Sequence, residues 1–223
     1  MSRSVLALDV TVRAVSTARI TDGAVPKCSL VHSDEIHGVH GPRENVRRHV
    51  EHAHRLVQAI IANPPELVVM AKNVWADMSR DPSGGRRSAL FFEIVRQLDH
   101  ADIPVCELSV LSAQKTIVGA AKFGAKGNES LAQEVRRLYP ELVTPPDPEK
   151  ETEPRYRVTT VGLALCGAMA AGIPTRLEVT TTRLIALQAG DWPRRFKPLS
   201  TATEWEAKFG GPPEATGDEP LSA

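Results

Sequence analysis

The sequence predicts a single α/β domain, a mixed five-stranded sheet flanked by helices. Three observations point there. The chain opens on three successive β-prone stretches with short connections, which read as an antiparallel meander. Strand-like apolar runs then alternate with segments of helical period, the pattern of a sheet covered by helices. Finally, 223 residues at 42% hydrophobic content can bury one full core, and one compact domain is the default at that length.

The elements follow in order. Residues 5–10 (VLALDV) form a near-continuous apolar run, the mark of a strand buried on both faces. Residues 15–20 are β-prone and stop at the Asp22-Gly23 turn, and residues 30–36 offer a third strand. Over 43–62, Val46, Val50, Ala53, Val57 and Ile60 or Ile61 recur at helical spacing until Pro64-Pro65. ELVVM (66–70) reads as a buried strand. A polar loop rich in Gly, Ser and Arg covers 77–87, and a second amphipathic helix carries Leu90, Phe91, Ile94, Val95 and Leu98. IPVCEL (103–108) is the fifth strand. A short helix is expected over 112–120. Asn128 then caps a helix whose inner face is Leu131, Val135 and Leu138. After a Pro/Glu-rich connector (144–154), the uncharged stretch 158–172 reads as a buried helix, its threonines and glycines making it a poor membrane span. A Thr-rich segment and a short helix near Leu184 follow. The expected divisions are a domain at 1–176, a C-terminal extension at 177–208 and a disordered tail at 209–223. No internal repeat is found.

Composition excludes several classes. With 27 basic and 27 acidic residues the chain has no bulk charge for histone-like binding, although a local basic patch remains open. Aromatics at 4% argue against the stacking platforms of single-strand binders. Cys28, Cys106 and Cys166 lie far apart with no CxxC, so neither a zinc site nor a disulfide framework is expected. A reducing cytosol is the natural compartment, and the first ten residues hold too short an apolar stretch for a signal peptide. The protein is therefore expected to be cytoplasmic, with no membrane partner.

Two features carry chemistry. Asp9 is a carboxylate inside a strand buried on both faces, which costs several kcal/mol unless it is paired, hydrogen-bonded or bound to metal. The bland alternative is a frayed strand end in solvent. The segment KTIVGAAKFGAK (115–126) lies in a stretch with no acid between Glu107 and Glu129, and it holds Lys115, Lys122 and Lys126. Gly119, Gly124 and Gly127 let backbone amides approach an anion, and the helix starting near Asn128 adds its dipole. A phosphate backbone suits such a surface; a solvated loop with ordinary lysines is the competing reading. Arg80, Arg86 and Arg87 can add phosphate contacts, diluted by Asp77 and Asp81. Of His49, His52 and His54, only the first two share a helical face, and solvated histidines are the favoured reading. Ser16, Ser79 and Ser112 sit in no nucleophile motif, and neither a Walker loop nor GxGxxG is present.

Together these segments resemble the RuvC-like Holliday junction resolvases of the ribonuclease H-like superfamily, particularly the diverged forms of actinobacterial phages. The carrying residues are LALDVT (6–11), Arg43 opening the helix before ELVVM, and Gly85-Arg86 leading into the Leu90–Leu98 helix. The longest match is IPVCELSVLSAQKTIVGAAKFGAKGNESLAQEVRRLYP, with TTVGLALCGAMAAG as the closing helix. The resemblance spans about residues 4–175. It implies a ribonuclease H-like five-stranded mixed sheet and a homodimer, with the 88–100 helix a candidate dimer face.

The resemblance also implies a mechanism, and this chain departs from it. Such enzymes hold two magnesium ions with about four acids and hydrolyse a phosphodiester in line, because hard dications placed close together need several anionic oxygens. Asp9 stands at the family's first acid. Ala71, followed by Lys72, stands where a glutamate is expected, and Val158 and Val161 where the last helix would carry two aspartates. One carboxylate does not offset the repulsion and dehydration of two dications. Lys72 can pair with Asp9 instead, and Asp77, Glu149, Glu151 and Glu153 are conceivable substitutes, the last three on a Pro-rich segment ill suited to rigid metal geometry.

The resulting reading is a pseudo-nuclease that binds four-way-junction or duplex DNA through Lys115, Lys122, Lys126, Asn128, Arg86 and Arg87. It would need no cofactor, or Mg²⁺ if active. One alternative is an active Mg²⁺-dependent crossover junction endodeoxyribonuclease with relocated ligands, for which Asp9 would be catalytic and a metal ligand. Another is a structural or interaction protein without a nucleic-acid ligand. A sugar-kinase half of the actin-like type is the weakest, because 223 residues leave no room for two such domains around ATP.

Overall fold

The computed structural model describes residues 2–33, 41–72, 83–142 and 158–210. Five strands form one sheet: β1 (Ser4–Val10), β2 (Ala14–Thr21), β3 (Lys27–His32), β4 (Leu67–Ala71) and β5 (Val105–Leu108). Their order is β3-β2-β1-β4-β5. β1 and β2 pair antiparallel, as do β2 and β3, whereas β1–β4 and β4–β5 pair parallel. A mixed α/β sheet was the expectation, and it is what forms. The third strand sits earlier than its apolar residues imply: Arg19 faces Lys27 and Ala14 faces His32, because the turn at Gly23 (φ +64°) closes a short hairpin.

Seven helices among the described residues cover the sheet: α1 (Pro42–Ile61), α2 (Gly84–His100), α3 (Val110–Val118), α4 (Ala125–Leu138), α5 (Val158–Ala171), α6 (Thr181–Leu187) and α7 (Ala202–Phe209). Strand alternation divides the core into two layers. Leu6, Leu8, Val10, Val68 and Met70 face α1 and α2, while Val5, Ala7, Leu67, Val69 and Cys106 face the layer built around α5. α5 is apolar on every side and buried along thirteen of its fourteen residues, as a helix must be when neighbours surround it.

The inner face of α1 differs from the predicted one. Val46 and Val50 are exposed, and His49, His52, Ala53, Leu56, Val57 and Ile60 point inward. The two histidines expected in solvent are therefore buried, since a stripe running through Leu56 and Ile60 carries His49 and His52 with it. His54 stays outside. α4 likewise starts before Asn128. Gly124 (φ +65°) is its N-cap, and Asn128 lies inside the first turn. α3 begins at Val110 because the Ser109 side chain accepts from the Ser112 amide at 3.0 Å.

Residues after 176 complete the second layer. Leu177, Leu184, Leu187, Phe196 and Trp205 join the α5 core. α7 carries a capping box between Thr201 and Glu204, and Trp205 Nε1 donates to the Met169 carbonyl at 2.7 Å. Phe209, placed at the head of the tail by sequence, is the last residue of α7 and packs on Gly172 and Trp205. The C-terminal end of α5 is held by Arg3, which pairs with Glu66 and donates to the Ala171 and Gly172 carbonyls. No described helix is long and apolar enough to cross a membrane.

Gly167 sets the spacing between α5 and the sheet, because a Cβ there would stand 2.5 Å from Val69 Cγ2 and 2.6 Å from Val5 Cγ1. Both neighbours are stiff β-branched side chains in a filled core. Gly167→Ala is expected to destabilise the protein by about 1–3 kcal/mol, read from chemical denaturation.

Candidate functional site

Asp9 faces the α5 layer because the strand alternates and its neighbours Val5 and Ala7 do so. It is 9% exposed. Its Oδ2 accepts a 2.8 Å hydrogen bond from the Thr159 hydroxyl on the first turn of α5. Opposite Asp9 on β2 stands Ser16, whose Oγ lies 2.9 Å from Thr160 Oγ1. Two adjacent threonines thus meet two adjacent strands. The N-terminal turn of α5 adds its partial positive charge beside the carboxylate. Thr159 and Thr160 were not identified from sequence; the available signal was a hydroxyl pair opening an otherwise apolar helix.

The other expected acid positions contribute no ligand. Ala71 ends β4 on the α5 face, one step beyond the Leu8–Met70 pairing, and so lies beside Asp9 with only a methyl group. Val158 is half-buried, and Val161 is fully buried in the α5 core. Helical rotation of about 100° per residue turns Val161 roughly 200° away from Thr159, so it is Thr159 that meets Asp9. Lys72 is exposed beyond β4. Asp77, Glu149, Glu151, Glu153, Arg80 and Ser79 lie outside the described residues. Among the described residues no group of three or more His, Cys, Asp or Glu side chains could hold a metal ion. The described residues alone, one carboxylate amid hydroxyl and methyl groups, do not fit a pair of magnesium ions, which require several anionic oxygens.

The cysteines offer no alternative nucleophile. Burial pushes the Cys28 and Cys166 thiols up to about 12 and raises Cys106 as well, so none forms thiolate near neutrality. At His49, burial and then the charges of Arg48 and Arg86 hold the imidazole below its ordinary value.

The lysine–glycine segment is a built turn. α3 ends at Gly119 (φ +82°), Ala120 to Gly124 are exposed, and α4 starts at Ala125. Lys115, Lys122 and Lys126 are all exposed. Gln114, 2% exposed, organises them: its Oε1 accepts from the Lys122 amide at 3.1 Å, and its Nε2 lies 3.5 Å from Asn128 Oδ1. Gly127 packs so closely on the Lys122 carbonyl and the Gln114 amide that no Cβ fits. Gln114 was missed in the sequence, where it reads as an ordinary helical residue. Arg86 is exposed and Arg87 half-buried at the start of α2. They belong to the α1/α2 layer, so the sheet separates them from the three lysines.

No protein-family model matches the chain, and no curated protein matches it by sequence. Solved structures do. A Thermus thermophilus RuvC structure superposes with a TM-score of 0.52 at 15% identity, covering 75% of this chain and 95% of that one. T. thermophilus RuvC in complex with Holliday junction substrate gives 0.50 at 14% identity, covering 75% and 94%. At such identities the likeness establishes the fold, which is RuvC-like and of the ribonuclease H-like type.

A buried hydrogen bond to a carboxylate is worth about 1.5–3 kcal/mol. Thr159→Val is expected to lower stability by roughly that amount in urea unfolding, and Thr159→Ser to restore most of it. In a double-mutant cycle with Asp9→Asn, the two substitutions should be non-additive.

Proposed function

We propose that the protein binds branched or duplex DNA through its phosphates, with the lysine–glycine turn as the contact surface, and does not hydrolyse the strand it holds. One observation carries this reading. Around Asp9 the described residues offer hydroxyl and methyl groups where a two-metal centre needs carboxylates, while the exposed lysines of α3 and α4, in the same layer, lie in an acid-free stretch from Leu108 to Asn128. The RuvC fold, one solved example of which is titled as bound to a Holliday junction substrate, makes a four-way junction the first ligand to test.

Lys115, Lys122 and Lys126 act as point charges on phosphate oxygens, and the amides opening α4, whose first turn carries no acid, point the same way. Asn128 positions that turn through Gln114. Arg86 and Arg87, on the other layer, would meet a separate arm of the same DNA. Residues 1–176 make up the DNA-facing domain in this reading, braced by the segment that ends with α7, whose Phe209 the sequence had assigned to the tail; the rest of that expected tail, from 211, lies outside the described residues.

The second copy of the chain docks on the α1/α2 face. Val50 and Ile61 of α1 and Phe92 of α2 are exposed there, beside a groove of about 350 Å³ that Arg96 and His100 also line. Exposed apolar side chains grouped on one helix pair are costly in a monomer and are covered in a homodimer.

Binding to a labelled four-way junction is expected to fall steeply with salt, and the double variant Lys122→Ala/Lys126→Ala to shallow the log–log salt slope by about 0.9 per lost contact. Incubating junction DNA with Mg²⁺ or Mn²⁺ should leave it intact; nicking that disappears in Asp9→Asn would overturn the non-cleaving reading. Sedimentation should show a dimer that Phe92→Glu with Val50→Glu converts to monomer.

A further inference from the structure

Two guanidinium groups and an imidazole converge where α1 packs on the start of α2. His49 lies on the inner face of α1, is 7% exposed, and forms no hydrogen bond among the described residues. The neighbouring Arg48 donates through Nη2 to Ser33 Oγ, which ties this turn of α1 to the end of β3. Its Nε is buried with no hydrogen-bond partner. A buried donor without an acceptor is a costly state that a bound oxyanion relieves. Arg86 is exposed in the first turn of α2; after burial, its charge and that of Arg48 are what hold the His49 imidazole down. The acids of both helices leave these groups alone. Glu51 pairs with Arg47 and Glu93 with Arg96, and Glu44, one turn before Arg48, forms no ion pair with it. α2 itself opens on Gly84-Gly85 with no acid in its first turn, and the amides of Gly84, Gly85 and Arg86 have no acceptor within the helix.

We propose that Arg48, His49, Arg86 and the opening amides of α2 form a binding site for a phosphate monoester, the doubly charged terminal phosphoryl group of a nucleotide or of a DNA strand end. The proposal deepens the phosphate-contacting role given to Arg86 above and rests on it, while using nothing of the lysine–glycine turn. Two guanidinium charges beside a helix N-terminus call for a dianion. The donors approach from two helices, and His49 is reached through the seam between them, so the ligand must present its oxygens at a tip. A terminal phosphoryl group has three unesterified oxygens, whereas an internal phosphodiester has two and a single charge. Guanidinium groups match such oxygens in pairs, and the His49 ring supplies a further N–H in either tautomer. The sheet separates this seam from Lys115, Lys122 and Lys126, so the two surfaces are testable apart.

The test titrates the full chain with inorganic phosphate at constant ionic strength, followed by calorimetry and by thermal unfolding. Saturable binding that raises the melting temperature is expected, with chloride giving none. Arg86→Ala, an exposed change that leaves the unliganded protein folded, should weaken phosphate binding by about tenfold or more. His49→Gln should weaken it as well, and Lys122→Ala/Lys126→Ala should leave it unaltered. A 5′-phosphorylated oligonucleotide that binds more tightly than its 5′-hydroxyl twin, with the difference lost in Arg86→Ala, would make a strand end the source of the group. Adenosine monophosphate that competes as well as the phosphorylated strand would make it a free nucleotide. Phosphate that does not bind, or binds equally well after Arg86→Ala, would overturn the site and leave the lysine–glycine turn standing. Phosphate binding lost in the lysine variant instead would also overturn it, by moving the anion to that turn. Arg86-dependent phosphate binding in a protein that holds no junction or duplex would sink the DNA reading and keep the site.

Discussion

An uncharged helix laid over a charged strand is the constraint from which the arrangement of the domain follows. α5 is enclosed on all sides, yet its first turn covers Asp9, and a carboxylate taken out of water needs a partner of its own. Thr159 meets that need with a hydroxyl and with the N-terminal end of its helix, and Thr160 does the same for Ser16 one strand over. The contact fixes the rotation of α5. With Thr159 on the sheet, the helix turns Gly162 toward Leu131 and Ile117, and Gly167 toward Val5 and Val69. The small residues of the helix are thus placed by the polar contact at its start, and the closeness of the packing depends on both.

The same logic of close approach shapes the opposite end of α3. Gln114 is a buried amide that reaches the loop backbone, and Gly127 is the residue that lets that backbone come near. Neither is charged, and neither would contact a phosphate directly. Their effect is to present Lys122 and the amides of α4 in one geometry rather than an ensemble, which lowers the ordering cost of any ligand those groups hold.

How much of this was legible in the sequence depends on whether the signal was periodic. The five strands, the buried α5 and the apolar faces of α2 and α4 are repeats of period two or 3.6, and they were readable. The inner face of α1 was misread because Val46 and Val50 fit the helical period as well as Leu56 and Ile60, and only packing against the sheet chooses between the two stripes. The burial of His49 and His52 follows from that choice. Asn128 was taken for a cap because its side chain suits that role, but Gly124 reaches the positive φ that the turn demands. Thr159 escaped notice because its importance lies in facing Asp9, 150 residues earlier. The Thr201/Glu204 box of α7, by contrast, was a local signal that could have been read.

The replacements around Asp9 have an electrostatic consequence that joins the two halves of the proposed function. A cluster of four carboxylates repels a phosphodiester until divalent cations neutralise it, so such a site admits DNA only when loaded. Here, among the described residues, the methyl of Ala71 and the hydroxyls of Thr159, Thr160 and Ser16 surround a single carboxylate, which accepts from Thr159 beside a helix N-terminus. The residual repulsion toward a nearby phosphate is correspondingly small, and at physiological ionic strength it fades over about 8 Å. Under the proposed function the lysines of the α3/α4 turn then act with little opposition from the described residues around Asp9. Under the proposed function, losing the ligands that cleavage requires and gaining metal-independent affinity for DNA are one change in charge, seen from the metal and from the phosphate in turn.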